Sequence, residues 1–417
     1  MLIIYTDFMA PAASDLSDYS CTFYVASHLI IEGRLAELYP LPSDSRLEDT
    51  AYNKAAHKIL PALAPNVGAS QFYPPLVPLL FSPLAFLPSK VALLLFQIIS
   101  IAAVALSARL VCAGKSAEGY FFCTFLFTPM IVAIWIGQSD VIIGLLPYVL
   151  MYWFLSRKKP MSAGLVASIA FLKANLMIVP GLIAVVFLWR RQWRMFAGIC
   201  AGAAMIVLLN LLIFGPSTCK GWIVDVKLME ADFLSPTSGA ARHLAASLPR
   251  LLIFLAPPAQ VASLRIVLYL WSATIGLIGF AACRSLTKES KEDVDIASIA
   301  FVTASLLLPL CAVYLFYYDL CVLAVAGTIV FSRTSGHPSW TAFMRRRCLA
   351  LWIIMSLYPF SFILSHNQML PLIVLIPFAI VYLDMLRFVW LRPAVPVAST
   401  ADGENQDVIV PPGEGGA

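Results

Sequence analysis

Of the 417 residues, 60% are apolar and only 12% are charged, against roughly 25% charged in ordinary soluble domains. With a mean hydropathy of +0.85, no globular core could hide that much apolar surface, so a water-soluble globule is excluded and a bilayer must act as solvent. The formal charge of +5 is split into short Lys/Arg clusters between apolar runs, a topology signal rather than a nucleic-acid surface.

Along the chain, Met1 to Tyr5 is too short for a signal peptide or a span. Asp7, Asp15 and Asp18 crowd the N-terminus, and Tyr19 to Leu38 has helical apolar spacing. Leu76 to Leu87 is apolar but short and proline-rich, which fits a re-entrant or interfacial segment better than a span. Residues 1–90 are therefore expected as an extracytoplasmic first loop with juxtamembrane helices. Runs at 91–112, 119–136, 141–156, 194–214, 263–283, 296–315, 319–331, 348–365 and 370–389 cross, or nearly cross, a ~30 Å hydrocarbon core. The expected fold is an all-α polytopic membrane bundle over 91–389, with an outer loop at 215–262. The tail, 390–417, is rich in Pro, Gly, Asp and Glu and is expected to be cytoplasmic and disordered. An outward N-terminus calls for a preceding in-to-out helix, and a first span is expected upstream of Met1.

Four basic connectors, Arg157-Lys158-Lys159, Arg190-Arg191, Arg284 to Lys291 and Arg345-Arg346-Arg347, are expected on the cytoplasmic side. The first two flank one apolar stretch, Met161 to Trp189, and a single crossing would put them on opposite faces. That stretch is expected to be a hairpin of two half-length helices, ~20 Å each at 1.5 Å per residue, broken at Lys173-Ala174-Asn175. Irregular backbone at membrane depth survives only against protein or a polar cavity, so a wet pocket is expected at the tip, open to the far side.

Ionisable groups at such depth are functional candidates. Lys173 reads as a phosphate-neutralising cation or a structural ion pair, and Asp319 as its partner, a sugar ligand or a helix cap. Gln138 and Asp140 flank an outward turn where Gly137 permits the bend and Ser139 is placed to cap the next helix. Any of Asp7, Asp15 and Asp18 could serve as a general base, Tyr73 is a cavity-lining residue in a rigid Tyr-Pro-Pro turn, and Arg242 with His243 forms a basic pair in the outer loop. The nine cysteines form no CxxC and no zinc-like spacing, and no metal cluster is expected. Cys21 and Cys219 alone fall in aqueous segments, and their pairing is not the expected state. No phosphate loop, no dinucleotide fingerprint at a strand and no DxD motif in an outer loop is present.

Taken together, Asp18-Tyr19, Phe23-Tyr24-Val25-Ala26, Gly33, Leu38-Tyr39, Phe72-Tyr73-Pro74-Pro75-Leu76, Ser82 to Pro88, Gly137-Gln138, Ala163-Gly164-Leu165, Leu172-Lys173, Arg190 to Arg194 and Tyr318-Asp319-Leu320 resemble glycosyltransferase family 87, multi-spanning enzymes of the GT-C class. The resemblance implies a GT-C-like bundle of about 10–12 transmembrane helices in a bacterial inner membrane, its active site facing the periplasm. It implies an inverting hexosyltransferase that moves a sugar, commonly mannose, from a polyprenyl-phosphate carrier to a lipid or glycan acceptor. The lipid-linked donor is then a substrate, with no cofactor, no metal and no nucleic acid. Asp18 matches the family's catalytic aspartate, although it stands about one residue further from Phe23-Tyr24 than the pattern has it. Tyr73, Gln138, Lys173, Arg242, His243 and Asp319 would bind substrate. Relatives often carry a histidine shortly before the Tyr-Asp pair, where this chain has Phe316 and Tyr317. A multi-pass transporter or lipid flippase would share the span count and the buried charges, and a polysaccharide polymerase or assembly factor is a third reading.

Overall fold

The computed structural model describes residues 17–41, 44, 47–63, 68–111, 120, 124–233, 246–288, 290–312, 315–332, 338–364 and 370–390. Among them every regular element is helical and no strand occurs. The helices are α1 (Tyr19–Ile31), α2 (Ala51–Ile59), α3 (Leu76–Phe86), α4 (Ser89–Val111), α5 (Thr128–Trp135), α6 (Asp140–Ser156), α7 (Pro160–Leu172) and α8 (Ala174–Trp189). They continue as α9 (Trp193–Phe233), α10 (Leu248–Leu255), α11 (Val261–Thr287), α12 (Asp293–Cys311), α13 (Tyr317–Phe331), α14 (Pro338–Leu364) and α15 (Leu370–Trp390).

Four stretches are long and apolar enough to cross a bilayer: Ser89–Val111, Trp193–Leu228, Ser263–Thr287 and Asp293–Cys311. Their burial sorts them. Every residue of α12 from Ile296 to Cys311 is buried, so that helix is the axis of the bundle. On α9 and α11, Leu212 and Leu277 are 72% and 69% exposed, surface that only an apolar solvent can cover. The chain is an all-α polytopic membrane protein.

The stretch 161–189 folds as a hairpin. A Cβ on Gly164 would lie 2.3 Å from the Met195 carbonyl, and one on Gly202 would lie 2.0 Å from the Ser168 hydroxyl. Thus α7 advances alongside α9 in the same direction, with Gly164, Gly198 and Gly202 letting the backbones touch as small residues do between membrane helices. Since α9 begins where α8 ends, α7 and α8 must run oppositely. At the tip, short 3-10 turns flank Lys173, whose backbone is extended (φ −121°, ψ 107°).

The basic connectors gather at the opposite end. The Arg190 guanidinium donates to the carbonyls of Lys288 (3.3 Å) and Ser290 (2.7 Å), and Arg284 lies over the Trp189 ring. The turns after α6 and α8 close with the same pair of bonds: Lys159 N to Phe154 O and Lys158 N to Leu155 O, then Gln192 N to Phe187 O and Arg191 N to Leu188 O. This paired cap needs a left-handed residue, for which glycine is usual. Glycine fills the equivalent place at Gly33 and Gly137 (φ +70° and +72°), whereas Lys158 and Arg191 adopt φ 57° and 56°. At the basic end, positive charge has been kept at the cost of local strain.

The N-terminal segment builds a second, aromatic core on the first half of α4. Tyr19, Phe23, Tyr73, Phe81 and Phe96 pack with ring centroids 4.8–6.4 Å apart. The first turns of α1 are π-helical, and the Tyr52 hydroxyl bonds the Cys21 and Thr22 carbonyls there (2.9 and 2.8 Å). On α3, Leu80 and Phe86 are exposed.

The described parts of the expected loop 215–262 are largely helical, with 234–245 outside the described residues. Gly215 turns the chain with φ +78°, and Pro216 opens a fresh helical run that reaches Phe233; proline is pre-set for a first helical turn. That run docks on the N-terminal segment, with Trp222 Nε1 donating to the Phe72 carbonyl at 3.0 Å. Of the run 119–136, α5 covers Thr128–Trp135, Tyr120, Thr124 and Phe125 are helical before it, and 119 and 121–123 lie outside the described residues. Cys21 and Cys219 do not form a disulfide.

Candidate active site

Four chain turns converge at the end remote from the basic connectors: the start of α1, the α5–α6 turn, the hairpin tip and the start of α13. The α5–α6 turn is the anchor. Tyr19 N donates to the Ile136 carbonyl at 3.1 Å, and Gly137 leaves the room this approach needs, since a Cβ there would sit 2.4 Å from the Tyr19 Cβ. That contact sets Asp18 beside Gln138. Ser139 makes no side-chain cap bond, contrary to expectation; its carbonyl accepts from Ile142 and Ile143 instead. As at α1, the first turns of α6 are π-helical, a distortion that recurs at functional sites.

The side chains form one connected network. Lys173 Nζ lies 2.5 Å from Asp140 Oδ2 and 2.8 Å from Asp319 Oδ1. Gln138 Oε1 takes hydrogens from the Tyr73 hydroxyl (3.0 Å) and Lys173 (3.5 Å). Two donors at that oxygen fix the amide, so Nε2 is left to donate to Asp18 Oδ2. Asp319 Oδ2 accepts from Asn175 Nδ2 at 2.5 Å and from Phe316 N at 2.7 Å. Asp319 is therefore both the helix cap and the lysine's partner, two readings the sequence left open. The Tyr73 and Tyr318 rings stand 5.7 and 5.5 Å from the ammonium.

The carboxylates differ in what they have left to offer. Asp319 has a partner at each oxygen, hydrogen bonds from Asn175 and Phe316 at Oδ2 and the lysine's charge at Oδ1, which accepts no hydrogen bond. Asp140 has only the lysine, and its Oδ1 is buried without a partner. Asp18 alone touches no cation, and it alone is partly exposed. Burial pushes its carboxyl above the ordinary range, opposed by the Gln138 hydrogen bond and the Lys173 charge. The expected wet pocket is closed: Tyr73, Gln138, Asp140, Lys173 and Asp319 are at most 3% exposed. Neutralising one another, these groups pack together rather than standing open around water. At the tip itself Ala174 is exposed and Asn175 half-buried.

The structure thus brings together Asp18, Tyr73, Gln138, Lys173 and Asp319. Arg242 and His243, with Asp7 and Asp15, lie outside the described residues. Asn175 was legible only as part of the hairpin break, although an amide beside an intramembrane lysine is itself a signal. No group of three or more His, Cys, Asp or Glu suited to a metal occurs among the described residues.

A buried acid–amide–lysine cluster at one end of a polytopic bundle defines a membrane protein with a polar reaction or binding centre at its surface level. The family model for glycosyltransferase family 87 matches residues 72–309, and the chain belongs to that family. It is a glycosyltransferase, and the family finding leaves the transporter reading without support. The matched span holds Tyr73, Gln138, Asp140, Lys173 and Asn175, whereas Asp18 and Asp319 are brought to them by the fold. No curated protein and no solved structure matches the chain.

Proposed function

We propose that the chain is an inverting hexosyltransferase of the GT-C class, which moves a sugar, mannose in the first instance, from a polyprenyl-phosphate donor to a lipid or glycan acceptor outside the cytoplasm. The observation that carries it is the convergence of Asp18, Gln138, Lys173 and Asp319 at the end opposite the basic connectors. By the positive-inside rule that end faces out, in a bacterium toward the periplasm.

In this scheme Asp18 is the base. It accepts the proton of the acceptor hydroxyl while that oxygen bonds to the anomeric carbon. The carbon–oxygen bond to the phosphate breaks with its electron pair, and polyprenyl phosphate departs. One base and one direct displacement invert the configuration. Asp18 suits the task because it has no cation to neutralise it and is reachable, and a raised pKa makes a stronger base at neutral pH. Gln138 orients it. Asp319 and Asp140 hold Lys173 at the tip, and Tyr73 closes the site.

The leaving phosphate needs cationic compensation. Lys173 is at hand, but its charge is already matched by two carboxylates. Arg242 and His243 are therefore the residues proposed to complete the phosphate site. A sugar phosphate ester is already activated, so the scheme calls for no nucleotide or cofactor.

The test is to incubate membranes from cells making this chain, and from cells lacking it, with radiolabelled polyprenyl-phosphate mannose. Label in a new glycolipid only where the chain is present supports the proposal; identical products in both, with other polyprenyl-linked hexoses also inert, reject it. Orientation is read by a membrane-impermeant maleimide on a variant keeping Cys219 alone, which should react in intact cells.

A further inference from the structure

A second polar cluster lies directly behind the first. Asp225, on the part of α9 beyond Gly215, is 1% exposed, and neither of its carboxylate oxygens has a hydrogen-bond partner. Gln71, also 1% exposed, has an unpartnered Oε1. Both belong to the surroundings of Tyr39, whose ring lies against Gly221, one helical turn before Asp225, with a Cβ there 3.1 Å from that of Tyr39. Tyr52 completes the group. An unpaired buried carboxyl is costly, so three open acceptor oxygens in one aromatic-walled region require an explanation.

Tyr73 joins this cluster to the reaction centre. Its carbonyl accepts from the Tyr39 hydroxyl (2.6 Å) and from Gln71 Nε2 (3.4 Å), while its own hydroxyl donates to Gln138. A ligand held at Asp225 and Gln71 is therefore one residue away from the amide that orients Asp18.

We propose that Asp225 and Gln71 form the subsite for the acceptor, binding a hydroxyl-rich headgroup whose O–H groups donate to the open oxygens and whose C–H faces lie on the Tyr39 and Trp222 rings. This rests on the transferase reading above and adds where the acceptor sits. A polyol fits better than a metal ion, because hard cations gather several oxygen ligands, commonly with more than one carboxylate, and here a single carboxylate stands among phenols and an amide. The donor's phosphate, an anion, would meet no cation among Asp225, Gln71 and the phenols around them. Bringing the headgroup in requires the aromatic wall to part, in keeping with the closed state of both clusters.

The test uses the full-length protein in detergent, labelled polyprenyl-phosphate mannose as donor and dodecyl mannoside as acceptor probe. If wild type glycosylates no alkyl hexoside and no membrane lipid, the transferase reading fails, not the subsite. Given wild-type turnover, Asp225→Asn and Asp225→Leu should each raise the acceptor KM about tenfold or more, with kcat and donor KM changed far less. Because the carboxyl is unpaired in the folded chain, Asp225→Leu should melt no lower than wild type, a pattern that a structural aspartate would reverse. An unchanged acceptor KM in both variants overturns the proposal. So does a parallel loss of melting temperature and turnover in both, or wild-type turnover that EDTA abolishes and calcium restores only when Asp225 is present.

Discussion

Replacing Lys173 with methionine removes one charge and leaves two carboxylates to find other partners. They are not equally exposed to the loss. Asp319 keeps the Asn175 amide and the Phe316 backbone N–H, enough to satisfy one oxygen and hold the helix start. Asp140 keeps nothing, since Oδ2 bonds only the lysine and Oδ1 has no partner. Removing one member of a buried pair costs about 3–5 kcal/mol, and here that cost falls mainly on Asp140. The double variant Lys173→Met/Asp140→Val should then recover more than half of it, because a buried pair replaced by apolar side chains of similar size is near neutral. Lys173→Met/Asp319→Asn should recover less. The assay is thermal unfolding of the detergent-purified wild type, Lys173→Met and both double variants, each double read against its Asp140→Val or Asp319→Asn single variant, with transferase activity read in parallel. Activity should stay low in the rescued double variant, because the cluster's charge pattern is gone. Equal stability of Lys173→Met and wild type would refute the ion-pair network, and equal rescue by either double variant would refute the asymmetry.

Gly164→Ala should cost about 1–3 kcal/mol through overpacking, since the new methyl would meet the Met195 carbonyl and the Ile199 amide at 2.3 and 2.7 Å; melting of the purified variant checks it, and Gly181→Ala, with nothing within 4 Å, is the neutral control. Lys158→Gly and Arg191→Gly should each stabilise the purified protein by roughly 1 kcal/mol by relieving left-handed strain, while the membrane-inserted fraction with Cys219 outward falls as the topology signal weakens. Transfer should lose rate on acidification as Asp18 is protonated, and because burial raises its pKa, that fall should begin at a higher pH than for an ordinary carboxylate near 3.9; a rate–pH profile in detergent, flat down to that value, would contradict it.

The membrane class and the hairpin were legible because each rests on a rule that acts locally: apolar length against bilayer thickness, and basic connectors sharing one side. Two connectors of the same sign around 161–189 were enough to place Lys173 at a tip. The link from that tip to Asp319 could be posed, but Asp140 as a second partner depends on how a turn 33 residues away packs, which no periodicity encodes. Asp18 meets Gln138 only because Gly137 lets Tyr19 lie against it, a contact between distant segments. The stretch after Gly215 was misjudged for a physical reason: its mixed polarity suits a helix docked on protein as well as a loop in water. The same error hid Asp225. The expected open pocket failed because opposite charges brought together close on each other.

The central claim is that this cluster is where sugar is transferred, with Asp18 taking the proton. The direct measurement is turnover and donor retention by Asp18→Asn, an isosteric change that can still bond Gln138. Transfer from labelled polyprenyl-phosphate mannose should fall by at least a hundredfold, in the range of a lost general base, while the purified variant binds the donor as tightly as wild type. Turnover within a few-fold of wild type, in a protein that keeps its fold, would show that the base lies elsewhere.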